Sequence, residues 1–179
     1  MTEPPRRRNI FTRVEGRNGA GYKDLMAADS PGFSYVLALA DEAATARLGA
    51  RIAAGLKAGD AVALSGDLGA GKTTLARAIL NALGVDERVP SPTFTLVQSY
   101  ETKSLTIRHY DLYRLEDPRE MDELGLEEAL DEGAALIEWP ERAGTRLPSG
   151  MLYINLEQAG VDARRADIKG PSRWAEILS

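Results

Sequence analysis

From position 33 onward, hydrophobic residues recur first with the period of a strand and then with that of a helix. FSYVLAL (33–39) predicts a strand. Asp41 is a suitable N-cap for the helix that follows, in which apolar residues recur every four positions and which Gly59 ends. The same order then repeats with a short apolar strand, AVALS (61–65), and an amphipathic helix over 72–84. This alternation predicts an α/β protein.

The second half of the chain predicts more strands around one helical insertion. The stretch 94–115 alternates in polarity on both sides of Thr102-Lys103-Ser104, which predicts an antiparallel hairpin whose second strand is half exposed. AALIE (134–138) is continuously apolar up to its last residue, as in a strand buried on both faces. The other predicted elements are an acidic helical segment (117–132), two late strands (151–157 and 164–170) and a short final helix (172–178). We therefore predict a mixed sheet with an inserted antiparallel hairpin and flanking helices.

Composition and charge narrow the possible classes of protein. The 179 residues fit one domain, and 44% hydrophobic with 27% charged residues is typical of a globular protein. The net charge of −5 argues against free-standing binding to nucleic acid, which usually needs a basic surface. No stretch reaches the roughly 18 apolar residues of a membrane span, and the N-terminus has no secretory signal. We therefore expect a cytoplasmic protein that makes no membrane contact.

The first 32 residues differ from the rest of the chain. They are rich in Gly, Pro and Arg and show neither helical nor strand periodicity. We predict a basic, flexible N-terminal extension over 1–32 and one domain over 33–179.

The residues that join the second strand to the second helix match a phosphate-binding motif. GDLGAGKT (66–73) satisfies G-x-x-x-x-G-K-[ST], and an apolar strand and an amphipathic helix flank it as the motif requires. Its glycines allow backbone N–H groups to converge on phosphate oxygens, Lys72 reaches the β and γ phosphates, and the Thr73 hydroxyl binds Mg²⁺. The sequence therefore predicts a single P-loop NTPase domain. The residues expected to contact the nucleotide here are Leu68, Gly69, Ala70, Gly71, Lys72, Thr73 and Thr74.

Two carboxylates are candidates for the metal side of this site. Glu138 ends the apolar run 134–138, where the acidic residue of a P-loop enzyme is expected. Asp111 ends the second hairpin strand and is a second acidic candidate, although it could instead only pair with Arg108 or Arg114. We predict catalytic roles for Lys72, Asp111 and Glu138, and a metal site formed by Thr73, Glu138 and Asp111. His109 is interpreted as a packed or solvated side chain.

The base is predicted to be adenine. A guanine-specific site normally carries Asn-Lys-x-Asp, and no asparagine in this chain precedes a lysine. ATP is therefore the expected nucleotide. A small-molecule kinase or a nucleotide-gated binding module without hydrolysis would use the same loop, and both stay open as alternatives.

Four ordered motifs resemble those of the TsaE (formerly YjeE) family: GDLGAGKTT (66–74), SPTFTLV (91–97), HYDLYRL (109–115) and IEWPE (137–141). The resemblance implies a small Mg-ATP-dependent ATPase that associates with the TsaD–TsaB complex. That complex transfers a threonylcarbamoyl group to the adenosine beside the anticodon of certain tRNAs. The resemblance thus implies that tRNA is an indirect partner only. Because Arg114 has no evident partner that would hold it on the γ-phosphate, we expect an ATPase that is weak alone and stimulated by the complex.

The resemblance also implies roles for particular residues. Ser91 to Thr95 resembles a switch loop, in which Thr93 senses the γ-phosphate. Asp111 and Glu138 fall on the acidic positions of the family, and Trp139 on its adjacent tryptophan. Glu42, at the start of the first helix, is the implied residue on the purine side.

Overall fold

A single seven-stranded mixed sheet forms the centre of the computed structural model, which describes residues 32–178. In chain order the strands are β1 (Gly32–Leu39), β2 (Ala61–Ser65), β3 (Val97–Glu101), β4 (Thr106–Asp111), β5 (Gly133–Glu138), β6 (Leu152–Gln158) and β7 (Arg164–Pro171). They lie side by side in the order β1-β7-β6-β2-β5-β4-β3. The four central strands run parallel, while β3 pairs antiparallel with β4, and β7 antiparallel with both β6 and β1. The predicted α/β fold with a mixed sheet and a hairpin is confirmed.

Helices cover both faces of the sheet. They are α1 (Glu42–Gly55), α2 (Lys72–Ala82), α3 (Leu126–Glu132), α4 (Arg173–Leu178) and two 3₁₀ helices (Pro118–Glu123 and Pro140–Ala143). Helices α1, α2 and α4 pack on one face, where Leu48, Leu75 and Trp174 share a buried cluster with Leu64. Helix α3 packs on the other face, where Leu126 contacts the cluster that contains Ile137. The sheet is therefore the middle of three layers, which keeps its central strands out of water.

The first helix begins where the sequence predicts and ends earlier. Asp41 Oδ1 accepts a hydrogen bond of 2.7 Å from the N–H of Ala44, as an N-cap does. The helix ends at Gly55 because the next residue, Leu56, is extended. Gly59 instead lies in the following turn, with φ of 87°, so the prediction that it ends the helix is wrong.

The environment of β4 corrects the prediction of a half-exposed strand. It lies inside the sheet and pairs in parallel with β5, so that His109, Tyr110 and Asp111 are buried. Its polar positions are covered by protein, since Arg108 contacts the carbonyl oxygen of Gly125 at the start of α3. Alternating polarity on this strand therefore does not indicate a face in contact with solvent.

Two further expectations concern the N-terminal segment and membrane contact. The extension predicted over 1–32 lies outside the described residues, apart from Gly32 at the start of β1. Among the helices of the described part, none has the length and apolar character needed to cross a membrane.

Candidate functional site

The loop between β2 and α2 has backbone geometry that only glycine allows at its start. Gly66 has φ of 132°, and a Cβ atom there would lie 2.2 Å from the carbonyl oxygen of Leu156 on the neighbouring strand. Gly71, which precedes the first residue of α2, has φ of 105°. The loop therefore folds tightly over the ends of β2 and β6 and brings backbone N–H groups to the N-terminus of α2. A helix N-terminus that follows such a glycine loop is suited to an anion.

The side chain of Lys72 lies against the loop rather than in solvent. Its Nζ donates to the carbonyl oxygens of Gly66 and Asp67, at 2.7 and 2.9 Å, and lies 3.7 Å from the ring centroid of Trp139. Burial lowers the pKa of Lys72 below its ordinary value, and the nearby carboxylates, Glu138 first among them, oppose that shift. The positive charge is thus held at the wall of the cleft.

Thr73 and Glu138 meet at the carboxyl end of the sheet. Glu138 pairs in register with Leu64, which is one residue before the end of β2, so the carboxylate lies where the glycine loop begins. Its Oε2 accepts a hydrogen bond of 2.9 Å from the hydroxyl of Thr73. Its Oε1 lies 2.8 Å from Nε2 of His109. His109 and Glu138 are buried, with Glu138 only 1% exposed, whereas Thr73 is partly exposed.

Asp111 lies beside Glu138 and holds the segment that precedes β3. The two carboxylates are register partners at the ends of β4 and β5. Oδ2 of Asp111 accepts hydrogen bonds from the hydroxyls of Ser91 and Thr93, the latter at 2.8 Å. Oδ1 accepts from the N–H of Tyr113 at 3.1 Å. Both oxygens are therefore engaged by the loop and the turn that border the cleft.

The alternative in which Asp111 merely pairs with an arginine is wrong. Arg108 forms ion pairs with Glu128 and Glu132 of α3. The guanidinium of Arg114 lies 4.4 Å from the ring centroid of Phe94. Asp111 is bonded instead to hydroxyl and amide donors of the cleft.

A cleft of about 370 Å³ collects most of the residues that the sequence predicts. Its lining includes Leu68, Gly69, Gly71, Lys72, Thr73, Thr74, Thr93, Asp111 and Glu138. Two other predicted residues, Glu42 and Ala70, line a second depression on the opposite side of the loop, which Thr74 and Gly71 also border. The loop thus separates a cleft with the carboxylates from a depression beside the start of α1.

Sequence reasoning missed two residues of these surfaces. Tyr113 lines the cleft and packs on Trp139 with ring centroids 4.9 Å apart, and its position two residues after Asp111 is the signal that could have found it. Arg164 lines the second depression and donates from Nε to the carbonyl oxygen of Ala70 at 3.0 Å. No local signal marks Arg164, because only the pairing of β6 with β7 brings it to the loop.

The donor set around Thr73 suits a magnesium ion that shares its ligands with phosphate. In the described part of the chain, no group of three or more His, Cys, Asp or Glu side chains could hold a metal by itself. Mg²⁺ does not require such a cage, since it commonly binds through one or two carboxylates, water and substrate phosphates. One hydroxyl and one buried carboxylate beside an anion-binding loop fit that pattern.

Comparison with known proteins places the chain in a family. The family model described as "Threonylcarbamoyl adenosine biosynthesis protein TsaE" matches residues 39–166, which is more than half of the sequence. The chain belongs to the TsaE family. The resemblance seen in the four sequence motifs is thereby confirmed.

Individual members of the TsaE family agree with this result. The "tRNA threonylcarbamoyladenosine biosynthesis protein TsaE" of Rickettsia felis is 44% identical over 144 residues, which cover 80% of this chain and 84% of that protein. The protein of the same name from Bacillus subtilis is 40% identical over 127 residues, covering 70% and 79%. A crystal structure of Bacillus subtilis YdiB superimposes with a TM-score of 0.67 at 29% identity, covering 85% of this chain and 94% of that one. Sequence and fold therefore point to the same relatives.

Proposed function

We propose that this protein is a Mg-ATP-dependent ATPase that supports the TsaD–TsaB complex in threonylcarbamoylation of the adenosine beside the anticodon of tRNA. Its relatives are named for the biosynthesis of tRNA threonylcarbamoyladenosine. The observation that carries the ATPase part is the convergence of Lys72, Thr73 and Glu138 at the end of a glycine loop. Contact with tRNA is expected only through the complex, since the chain is acidic, with a net charge of −5.

We assign the triphosphate to the loop and to the cleft that it borders. Backbone N–H groups of residues 68–74 and the N-terminus of α2 would bind phosphate oxygens. Lys72, whose Nζ is bonded to loop carbonyl oxygens, would turn to the β and γ phosphates, and Thr93 would contact the γ-phosphate. The second depression would hold the purine, with Glu42 on its rim.

We assign magnesium to Thr73 and Glu138, with Asp111 as the second acidic group. The ion, when bound, would neutralise negative charge that develops on the phosphate oxygens during transfer. Glu138 is buried and hydrogen-bonded to Thr73, so its oxygen is already placed beside the hydroxyl ligand. Asp111 is bonded to Ser91 and Thr93, which places the acidic group and the proposed γ-phosphate sensor in contact.

The proposed reaction is the attack of water on the γ-phosphorus, which breaks its bond to the β–γ bridging oxygen and yields ADP and phosphate. In this reaction the residues of the chain would position the reactants and stabilise negative charge on the phosphates. Lys72 contributes a cation to the phosphates, and Glu138 and Asp111 orient the metal side and the attacking water. Trp139, against which Lys72 packs, keeps one side of the cleft out of water.

Two substitutions test the ATPase assignment. Lys72→Ala removes the charge that faces the phosphates, so titration calorimetry should show that tight ATP binding is lost. Glu138→Gln keeps the shape and removes the charge, so ATP binding should largely persist while phosphate release falls by about 100-fold. Glu101→Gln is the matched control, since it makes the same change in the exposed hairpin, away from the cleft. Hydrolysis by Glu138→Gln at the wild-type rate would contradict the assignment.

The fate of the γ-phosphate separates this proposal from its alternatives. Free phosphate supports an ATPase, a phosphorylated small molecule would indicate a kinase, and intact ATP would indicate a binding module. The measurement uses γ-labelled ATP with the full chain, in the presence and absence of the TsaD–TsaB complex. Lys72→Ala serves as the blank for contaminating ATPases.

A further inference from the structure

The single histidine of the chain, His109, is completely buried on β4 beside the proposed metal carboxylate. Its Nε2 lies 2.8 Å from Oε1 of Glu138. Its Nδ1 is buried and has no hydrogen-bond partner among the described residues. The contact between this histidine and a proposed metal ligand therefore calls for an explanation.

The hydrogen-bond partners determine which nitrogen carries the proton. A carboxylate oxygen accepts hydrogen bonds, so Nε2 must carry a proton in order to bond to Oε1. A proton on Nδ1 would be a buried donor without an acceptor, which is costly. Nε2–H of His109 is therefore the donor to Glu138.

With this hydrogen bond, both carboxylate oxygens of Glu138 have a donor. Oε2 accepts from Thr73 on α2 and Oε1 accepts from His109 on β4, so two different elements hold the two oxygens. Lys72 is near enough for its charge to interact with Glu138, yet the two side chains form no ion pair within 4.0 Å. Without His109, Oε1 would have no donor, and rotation of the carboxylate towards the ammonium group of Lys72 would satisfy it.

We propose that His109 is a positioning residue: its Nε2–H holds Oε1 of Glu138, keeps Oε2 on Thr73, and so lowers the magnesium concentration that the site requires. This inference rests on the proposed role of Thr73 and Glu138 at the metal. A side chain that orients a metal ligand in this way typically accounts for about 10- to 100-fold in metal affinity or activity.

The first test observes the hydrogen bond itself, in the absence of nucleotide and metal. Because the chain has one histidine, ¹⁵N-histidine labelling of the full protein yields one imidazole in a long-range ¹H–¹⁵N spectrum. We expect a proton on Nε2 that exchanges slowly and whose resonance shifts in Glu138→Ala. Asp111→Asn is the matched control, since Asp111 lies on the same strand and does not bond to the ring. The Nδ1–H tautomer, or a resonance that ignores Glu138→Ala, would overturn the proposal.

The second test separates positioning from packing. His109→Leu removes the donor, His109→Gln retains one, and Ile107→Ala disturbs the same buried strand without changing a polar group. We expect half-maximal stimulation of ATP binding at ~10-fold higher Mg²⁺ in His109→Leu, with ATP affinity in the absence of Mg²⁺ unchanged, and partial restoration in His109→Gln. The same Mg²⁺ requirement in His109→Leu as in Ile107→Ala would refute the inference.

A double variant tests whether His109 acts through Glu138, and the wild type tests the proposed function separately. In the Glu138→Ala background, His109→Leu should cause no further change in the Mg²⁺ requirement, because its effect passes through that carboxylate. An added loss there would show that His109 acts otherwise. Wild-type ATP binding that does not depend on Mg²⁺ would refute the proposed function itself. If His109→Leu does not fold, the spectrum of the unmodified chain still shows whether Nε2 of His109 carries the proton.

Discussion

Lys72 carries a buried ammonium group whose contacts influence its pKa. Its ammonium group is bonded to two carbonyl oxygens of its own loop and faces the ring of Trp139. Burial disfavours the charged form and lowers its pKa, while Glu138, Glu141 and Asp111 favour it. Burial and the neighbouring carboxylates therefore act on this ammonium group in opposite directions.

The lowered pKa of Lys72 predicts proton uptake when ATP binds at alkaline pH. The pKa of Lys72 is below 10.5 in the protein, and phosphate oxygens beside the ammonium group would raise it again. At a pH between the two values, the free protein holds part of Lys72 neutral and the complex holds it charged, so binding takes up a proton. Titration calorimetry over a series of alkaline pH values up to 10.5, in two buffers with different ionisation enthalpies, measures this uptake.

The control for that experiment is Lys72→Arg, whose guanidinium stays charged throughout this range. We expect ATP binding by Lys72→Arg to be weakened and to take up no proton at this residue. Equal uptake by the two proteins would show that another group is responsible.

At the scale of elements, the loop Ser91–Thr95 depends on the carboxylate at the end of β4. Hydroxyls of Ser91 and Thr93 both donate to Oδ2 of Asp111. Hydrogen bonds to a charged group contribute about 1.5–3 kcal/mol each. We predict that Asp111→Ala increases hydrogen exchange of the amides in 91–96, and that Asp111→Asn has a smaller effect.

Exchange is measured by mass spectrometry, and the hairpin turn 102–105 provides an internal reference. That turn is closed by Thr102, whose hydroxyl donates to the carbonyl oxygen of Leu105, and it does not contact Asp111. Unchanged exchange in 91–96 would mean that other contacts hold the loop.

The contact between α1 and α2 predicts a stability effect far from the cleft. A Cβ atom on Gly49 would lie 2.6 Å from Cβ of Ala78, so Gly49→Ala overfills this interface. Alanine gains about 0.5–1 kcal/mol over glycine within a helix, but overpacking costs about 1–3 kcal/mol. We therefore expect Gly49→Ala to lower the free energy of unfolding, measured with urea, by about 1 kcal/mol. The double variant that also carries Ala78→Gly should recover part of this loss. A stabilised Gly49→Ala would show that the two helices separate easily.

The elements differ in how far the sequence alone could predict them. The glycine loop and β5 are specified by consecutive residues, and both occur where the motif and the apolar run indicate. The position of β4 is different, because alternation does not reveal whether a polar side chain meets water or another part of the protein. Arg108 meets α3 and His109 meets Glu138, and both contacts depend on residues more than fifteen positions away. Arg164 could not be predicted for the same reason, because its contact with the loop joins residues far apart in the sequence.

At the scale of the whole molecule, the cleft lacks one component that rapid hydrolysis requires. No arginine is among the described residues that line it, and Arg114 is stacked on the exposed ring of Phe94. An arginine that stabilises the transition state, together with a closed switch, accounts for about 10³–10⁵ in rate. We predict that the isolated protein hydrolyses ATP slowly and that the TsaD–TsaB complex accelerates it.

Phosphate release is measured at increasing concentration of the complex, with Lys72→Ala in place of the wild type to correct for hydrolysis by other components. The rate of phosphate release should reach a plateau when all of the protein is bound to the complex. A high basal rate that does not respond to the complex would support an enzyme that acts alone.

The pairing of β1 with β7 has a practical consequence for handling the protein. Gly32 pairs with Pro171 at one end of the sheet, whereas the glycine loop and both carboxylates follow the opposite ends of their strands. The last described residues, in α4, lie against Tyr35 and Arg51, towards that same remote end. A fusion partner or an immobilising linker attached behind residue 178 therefore joins the fold away from the cleft. Surface capture through such a linker leaves the cleft facing the solution.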